Sequence, residues 1–388
     1  MMTNIGKFDN VIINDNWLMS IINDRVSSKK MNMVWDMSNL FDSKIVTHSG
    51  RFHADEVFSI ALVMILRTSF QNKGRDKSGD FLEKFDPSAD LKRILIRRPN
   101  GLDPNNEDDR EIYKNYVVLD IENGHFDHHF KDQSECPKDE NNERLATIGQ
   151  LWRAIGHIFD VPAKDYSGIN VYDRIWEFLK PISQQDIYGP QKYKSPISQI
   201  ISNINGYTEY ELDFVDPCVE DLQEAKFLEA VKMAYKILRQ QIIREQLFVK
   251  SMIETGEKTD LFLLTDNIGC CRIRNVEEGE KEPRVDLEAL RYMTVQDKPV
   301  MVLINENPSD RDGTYRMIMV DSEKCKLDKC LLIDPAPGQV FIHPDLFMIT
   351  FKTLDDLRNF VDECFVGITF NLNGEVISYN IGYDIMHE

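Results

Sequence analysis

Long apolar runs are missing from this sequence. Nothing in its 388 residues approaches the roughly eighteen consecutive apolar positions of a membrane-spanning helix, so no membrane partner is expected. Positive charge is scarce as well: 46 Lys and Arg stand against 65 Asp and Glu, a formal net charge of −19. A protein that grips many phosphates along a duplex draws most of its affinity from a basic face, so extended duplex DNA is not an expected partner. A short strand or a small phosphorylated molecule, held by a locally positive or metal-loaded cleft, is compatible with that charge. The seven cysteines are an odd count without a regular framework, as in reduced thiols of the cytosol or nucleus. Cys325 and Cys330 have no second Cys or His pair nearby, which argues against a structural zinc site. The N-terminus lacks the apolar core of a signal peptide, being broken by Asp9, Asn10, Asp15 and Asn16, and it is too acidic for a mitochondrial transit sequence. The expectation is an intracellular protein, cytoplasmic or nuclear.

What is present is ample core material, 42% hydrophobic with 29% charged residues, in a chain whose length favours two domains. Residues 1–43 are rich in Asn, Asp and Met with little periodicity, and read as a loosely structured extension without chemistry. From Lys44 short apolar runs alternate with amphipathic stretches: KIVTH as strand, DEVFSIALVMILRTSF as helix, KRILIRR and NYVVLDIE as strands. That alternation predicts βαβ units on a parallel sheet, with functional residues at the strand C-termini. The polar segment 73–90 reads as a surface loop. Two helices follow, ATIGQLWRAIGHIF and VYDRIWEFLKPI, the second ended or kinked by Pro181. The first domain then spans 44–215 and closes after SPISQIISNING. A helical pattern from about Val219 to Glu254 suits a connector over 216–256. Strands return in DLFLLTD, KPVMVLINE, TYRMIMVD and GQVFIHP, with a final helix from Leu354 to Cys364 and a terminal hairpin around NLNGEVISYNIGY. The expected fold is therefore α/β: an N-terminal parallel-sheet domain, the helical connector and a smaller C-terminal α/β domain over 257–388. There is no internal repeat and no low-complexity tract.

Five of the eight histidines fall into two clusters. Ile45 and Val46 run into His48; Ser49 and Gly50 open a turn; His53 and Asp55 follow as the next helix begins. The second cluster repeats the design, with strand YVVLD ending at Asp120 and HFDHH supplying His125, Asp127, His128 and His129. Both clusters sit just beyond predicted strands of one sheet, so they can converge. Carboxylates mixed with imidazoles suit Mn²⁺, Mg²⁺, Fe²⁺ or Zn²⁺, and no thiolate lies near either cluster. A carboxylate such as Asp120 can bridge two ions, and a pair about 3.5 to 4 Å apart suits in-line displacement at a phosphoester. Asp127 is placed to orient an imidazole from behind. Glu56 reads as a helix-start charge, His125 as a polar turn or surface residue, and His157 as an exposed helix position.

The stretches VTHSGRFHADEVFSIALV, VVLDIENGHFDHHF, the Leu-Ala-Thr-Ile-Gly at 145–149 and the distant GQVFIHPDLF together resemble the successive motifs of the melanocyte-proliferating-gene family of DHH-type phosphoesterases. The resemblance covers about Lys44 to Phe360 and is thinner in the C-terminal part. It implies a Mn²⁺-dependent 3′ to 5′ RNA exonuclease with two divalent ions, Mg²⁺ being the alternative, acting on single-stranded RNA or short oligonucleotides. By position it implies that His48, His53 and Asp120 hold one ion, and that Asp55, Asp120, His128 and Asp186 hold the other. His129 then faces the substrate phosphate, supported by Asp127. Arg51, Arg97, Arg98, Lys192 and Lys194 are candidates for neutralising phosphates, and Arg316 and His343 for contacting substrate from the second domain.

Departures from the family pattern surround these positions. Its Asp-x-x-Asp-Asn-Gly motif reads SQQDIY, so Ser183 replaces the first acid; Gln199 stands near an expected arginine; Glu122 and Asn123 replace glycines. Residues of about 100–113 form an insertion. These changes bear on substrate preference and turnover more than on metal binding. Two alternatives stay open: hydrolysis of a small phosphorylated molecule such as pyrophosphate, and a catalytically impaired relative that keeps the metal site while binding RNA or protein. The oligomeric state is not written in the sequence.

Overall fold

In a computed structural model of the chain, residues 11–388 are described except 29, 73–93, 100, 131, 162–169, 207–218, 264–268, 274–286, 296–297, 310–311, 322–325, 328, 366–368, 371–375, 379–384 and 387–388. The expected loop over 73–90 thus lies outside the described residues. The fold is mixed α/β and divides into two compact units, Met1–Pro162 with Asn170–Gln246, and Ala163–Ile169 with Leu247–Glu388. Among the described residues no helix is long and apolar enough to cross a membrane.

The N-terminal segment of the first unit is not the loosely structured extension expected of it. Residues 11–43 are folded: a helix Asp15–Ile22, capped by the Asn14 side chain, leads into an antiparallel pair, β1 (Arg25–Ser28) and β2 (Met33–Asp36), and a 3₁₀ turn Met37–Leu40. Trp35 and Leu40 are fully buried and Leu18, Ile21 and Met37 nearly so. The segment lacks periodicity because its elements are too short to show one, yet each carries an apolar anchor.

The main sheet of this unit has the order β4, β3, β5, with β3 at Ile45–His48, β4 at Leu95–Arg98 and β5 at Val117–Val118, all parallel. Ile45, Val46 and Thr47 are fully buried, as expected of a parallel strand covered on both faces. The helix Ala54–Asn72 follows β3, and every residue from Asp55 to Leu66 is buried; a helix apolar nearly all round has to sit inside the unit. It packs against the helices Thr147–Ile155, Val171–Tyr188 and Pro196–Asn205. Pro181 neither ends nor breaks the Val171–Tyr188 helix. Leu179, Ile182 and Ser183 are buried around it, so tertiary packing outweighs the lost backbone hydrogen bond. The insertion contains a helix of its own, Glu107–Asn115, capped by Asn106.

The helix Val219–Lys258 contains the boundary between the units at Gln246. The second unit carries β6 (Thr259–Leu263), β7 (Gly269–Ile273), β8 (Thr294–Val295), β9 (Lys298–Asn305), β10 (Tyr315–Met319), β11 (Lys326–Leu327), β12 (Gln339–Ile342) and β13 (Met348–Phe351). Its sheet runs β12, β13, β10, β9, β7, β6, with β8 on β9, and is antiparallel except for the β7–β9 pair. The helix Leu354–Phe365 covers a core of Val302, Ile304, Met317, Ile349, Phe351 and Phe360. Within the expected terminal hairpin, β14 (Thr369–Phe370) pairs with β15 (Val376–Ser378), while β16 (Ile385–Met386) pairs with β11.

Candidate metal centre

Because β3 and β5 are parallel neighbours, the residues just past them meet at one edge of the sheet. His48 ends β3, and Asp120 follows β5 by two positions. Asp120 has φ +53°, a left-handed conformation that Asp tolerates better than most residues. The return from there to the histidines passes Gly124, where a Cβ would stand 2.9 Å from both the Ile121 carbonyl and Val118 Cγ1, so the close approach requires glycine. The buried Ala54–Asn72 helix carries Asp55 and Glu56 inward in its first turn, where the helix dipole favours negative charge. Asp186 arrives from the last turn of the Val171–Tyr188 helix.

These side chains converge. His48 Nε2 stands 3.2 Å from Glu56 Oε2 and 3.4 Å from Asp120 Oδ2. His128 Nδ1 is 3.2 Å from Asp120 Oδ1 and its Nε2 2.9 Å from Asp186 Oδ2, while His53 Nδ1 lies 3.4 Å from Asp186 Oδ1. Asp55 Oδ2 is 4.0 Å from His128 Nδ1. His129 stacks on His128, ring centroids 4.2 Å apart. Asp127 Oδ1 accepts from the His129 backbone N–H at 2.7 Å and lies 3.2 Å from its Nδ1, and Asp127 Oδ2 accepts from the Asn123 N–H at 3.0 Å.

Electrostatics binds the cluster together. Burial pushes the Asp55 carboxyl well above the usual range, and the charges of Asp120 and Asp186 add to it. Burial also raises Glu56 to about 7, although the neighbouring His48 charge opposes it. For His48 burial disfavours the charge, but the hydrogen bond to Asp120 and the charges of Glu56 and Asp120 win and raise it to about 9. Burial disfavours the Asp120 anion too, yet His48, His128 and His129 bring it down to about 2.

The residues fit divalent cations. Four groups each bring their donor atoms within 4.8 Å of one another: His48, Glu56, Asp120; His53, Asp55, Asp120; Asp55, His128, Asp186; and Asp120, His128, His129. Both oxygens of Asp55 are buried without a hydrogen bond, and Glu56 Oε2 and Asp120 Oδ2 share the one His48 nitrogen, a costly state that a cation would relieve. Hard oxygen donors mixed with imidazole match such ions. The His48 Nδ1 contact with the Ser49 carbonyl, 3.1 Å, calls for a proton there and leaves Nε2 as the donor atom facing the carboxylates.

Several sequence readings are corrected. Glu56 does stand at a helix start, but it is also fully buried, held by the Thr47 hydroxyl, and belongs to the cluster. The buried apolar residues that follow it were the available signal. His125 does lie in a turn, but it is buried rather than at the surface, between Trp35 and Tyr113, accepting from the Val118 N–H at 3.0 Å; burial drives its pKa down to about 3. His157 is stacked between Trp17 and Tyr172 and paired with Asp160 at 2.8 Å rather than exposed. Arg97 is taken up by structure, donating to the carbonyls of Gly50 (2.8 Å) and His48 (3.2 Å) over the Phe227 ring. Arg98 pairs with Asp109 at 2.6 Å, and Lys192 lies over the Tyr188 ring. Ser183, in place of an acid, accepts from the Ala146 N–H at 3.0 Å where the next helix lacks a side-chain cap.

Arg51 lies with His53, Asp55 and Asp186 around a cavity of 260 Å³, whose other walls include Phe52, Pro190 and Ser198. Arg316 and His343 belong to the second unit. Arg316 is paired on β10 with Asn305 and Thr350, and His343 Nδ1 accepts from the Asp345 N–H at 3.1 Å. The sequence model of MYG1_exonuc, described as an uncharacterised protein family (UPF0160), matches residues 44–363. No curated protein matches the chain.

Proposed function

Since the chain belongs to the MYG1_exonuc family, we propose that it is a two-metal phosphodiesterase removing nucleotides from the 3′ end of single-stranded RNA or short oligonucleotides. The observation that carries the reading is the convergence of Asp55, Glu56, Asp120 and Asp186 with His48, His53, His128 and His129, with both Asp55 oxygens buried without a hydrogen bond, beside a cavity that Arg51 helps to line. Asp120 would serve both ions, with His48 and Glu56 for one and Asp55, His128 and Asp186 for the other, and His53 within reach of Asp55, Asp120 and Asp186; Mn²⁺ is the preferred ion. Bound there, the ions would supply Lewis acidity at the phosphoryl group and acidify water. Asp127 holds His129 by its backbone and ring, so that as an imidazolium His129 would donate from its other ring nitrogen to a phosphoryl oxygen. Arg51 would take a phosphate at the cavity.

The test is to incubate Mn²⁺-loaded protein with 3′- and 5′-labelled oligoribonucleotides, pyrophosphate and a nucleoside bisphosphate, with and without chelator. Shortening from the 3′ end, lost with chelator and in Asp120→Asn, is the expected result. Turnover of pyrophosphate or bisphosphate alone would make the protein a small-molecule phosphatase. Binding of metal without turnover of any substrate would make it an inert relative.

A further inference from the structure

The pair β1 and β2 precedes the residues that the family match covers, yet it reaches the metal centre. Trp35 on β2 is fully buried, stacked on the His125 ring at 4.0 Å and edge-on to Phe126 at 6.1 Å. These two residues begin the short loop that carries Asp127, His128 and His129. The hairpin is therefore fastened to that loop, and its connecting turn brings Lys30 along: Lys30 Nζ lies 3.8 Å from Asp127 Oδ2 and 3.8 Å from the centroid of the Phe130 ring.

Asp127 does not need this cation. Its two oxygens already accept from the His129 and Asn123 backbone N–H groups and meet the His129 ring. At 3.8 Å the ammonium is an ion-pair neighbour rather than a hydrogen-bond donor to Asp127, and its side chain keeps 36% exposure. Arg97 and Arg98, which the sequence offered as phosphate partners, are spent on carbonyls and Asp109. An anionic substrate entering a centre lined by carboxylates gains from a fixed cation at its edge, and a compact ammonium held over an aromatic face supplies one.

We propose that Lys30, delivered by the N-terminal hairpin and seated between Asp127 and Phe130, is a phosphate-binding residue of the metal centre. The inference rests on the phosphoester reading of the same site, and it gives the N-terminal segment a part in substrate binding.

Mn²⁺-loaded wild-type protein, Lys30→Gln and Lys30→Arg are compared for binding of inorganic phosphate and of a fluorescent phosphorothioate-linked oligoribonucleotide over a range of salt. Metal content and melting temperature serve as the check that the centre is intact. Lys30→Gln is expected to weaken both probes by about tenfold, as for loss of a charge-assisted bond. It should also flatten the dependence of log affinity on log salt for the oligonucleotide by about 0.7, one phosphate contact on a single strand. Lys30→Arg should restore most of both. Wild-type affinity and slope in Lys30→Gln would overturn the inference while leaving the phosphodiesterase reading intact. Lys30-dependent binding of phosphate with no binding of oligonucleotide would uphold the inference and overturn the RNA reading.

Discussion

Glu56 Oε2 and His48 Nε2 face each other at 3.2 Å across the edge of the parallel sheet, one from the first turn of a buried helix and the other from the end of the strand before it. Neither group is stable there as an isolated charge. Glu56→Gln removes a carboxylate from the centre and is expected to lower metal affinity by about 10- to 100-fold, the range seen when a group that supports a metal ligand is lost. The metal-free variant should melt no lower than wild type at pH 8, because the amide spares a buried anion. Titration calorimetry and thermal melts check both. Unchanged metal affinity would reduce Glu56 to a buried acid held by Thr47 and His48.

The pH dependence of the metal-free protein follows from the same pair together with Asp120. Glu56 is raised to about 7 from 4.5, so the folded protein holds a proton that the unfolded chain has lost, and stability falls as pH rises between those values. His48 is raised to about 9 from 6.5; its contribution is full below 6.5 and disappears as pH rises through 9. Asp120, lowered to about 2 from 3.8, contributes above 3.8 and is lost as pH falls through 2. The melting temperature in chelator should therefore peak at mildly acidic pH and decline toward pH 9. Mn²⁺ displaces these protons and should flatten the decline. Equal slopes with and without metal would contradict the assignment.

Trp35→Ala should cost the first unit about 3 to 5 kcal/mol, the range for emptying a buried aromatic site. Denaturant unfolding measures it. A loss below about 1 kcal/mol, the scale of an ordinary surface change, would mean that residues 11–43 are not part of the fold.

Arg97 and Arg51 should separate cleanly. Arg97→Ala takes a donor from the His48 carbonyl and one of two from the Gly50 carbonyl, which keeps Gln223, and is expected to lower stability by about 2 kcal/mol. Arg51→Ala should leave the melting temperature unchanged and weaken substrate binding. The reverse pattern in paired melts and binding titrations would exchange their roles.

The sequence made the sheet edge legible because polar residues directly follow apolar strand residues at His48 and Asp120, and parallel strands bring such ends together. The same logic passes over Glu56, since one acid at a helix start ordinarily meets solvent, and only the burial of the helix all round from Ala54 to Thr68 turns it inward. His125 reads as part of a polar run; its environment is set by Trp35, distant in sequence and on a four-residue strand too short to announce itself. Locally Pro181 argues for an end or a kink in the helix, and the end is overridden by packing around Leu179 and Ile182.

The left-handed backbone at Asp120 narrows which residues position 120 can hold. A glutamate would keep the charge but place an extra methylene on a backbone that tolerates few side chains, so its failure would report conformation as much as chemistry. Asparagine is at home in that conformation and nearly isosteric, so it alters the donor and little else. The twist of the chain thus selects the experiment: among single changes at this position, Asp120→Asn is the one whose outcome can be read as chemistry.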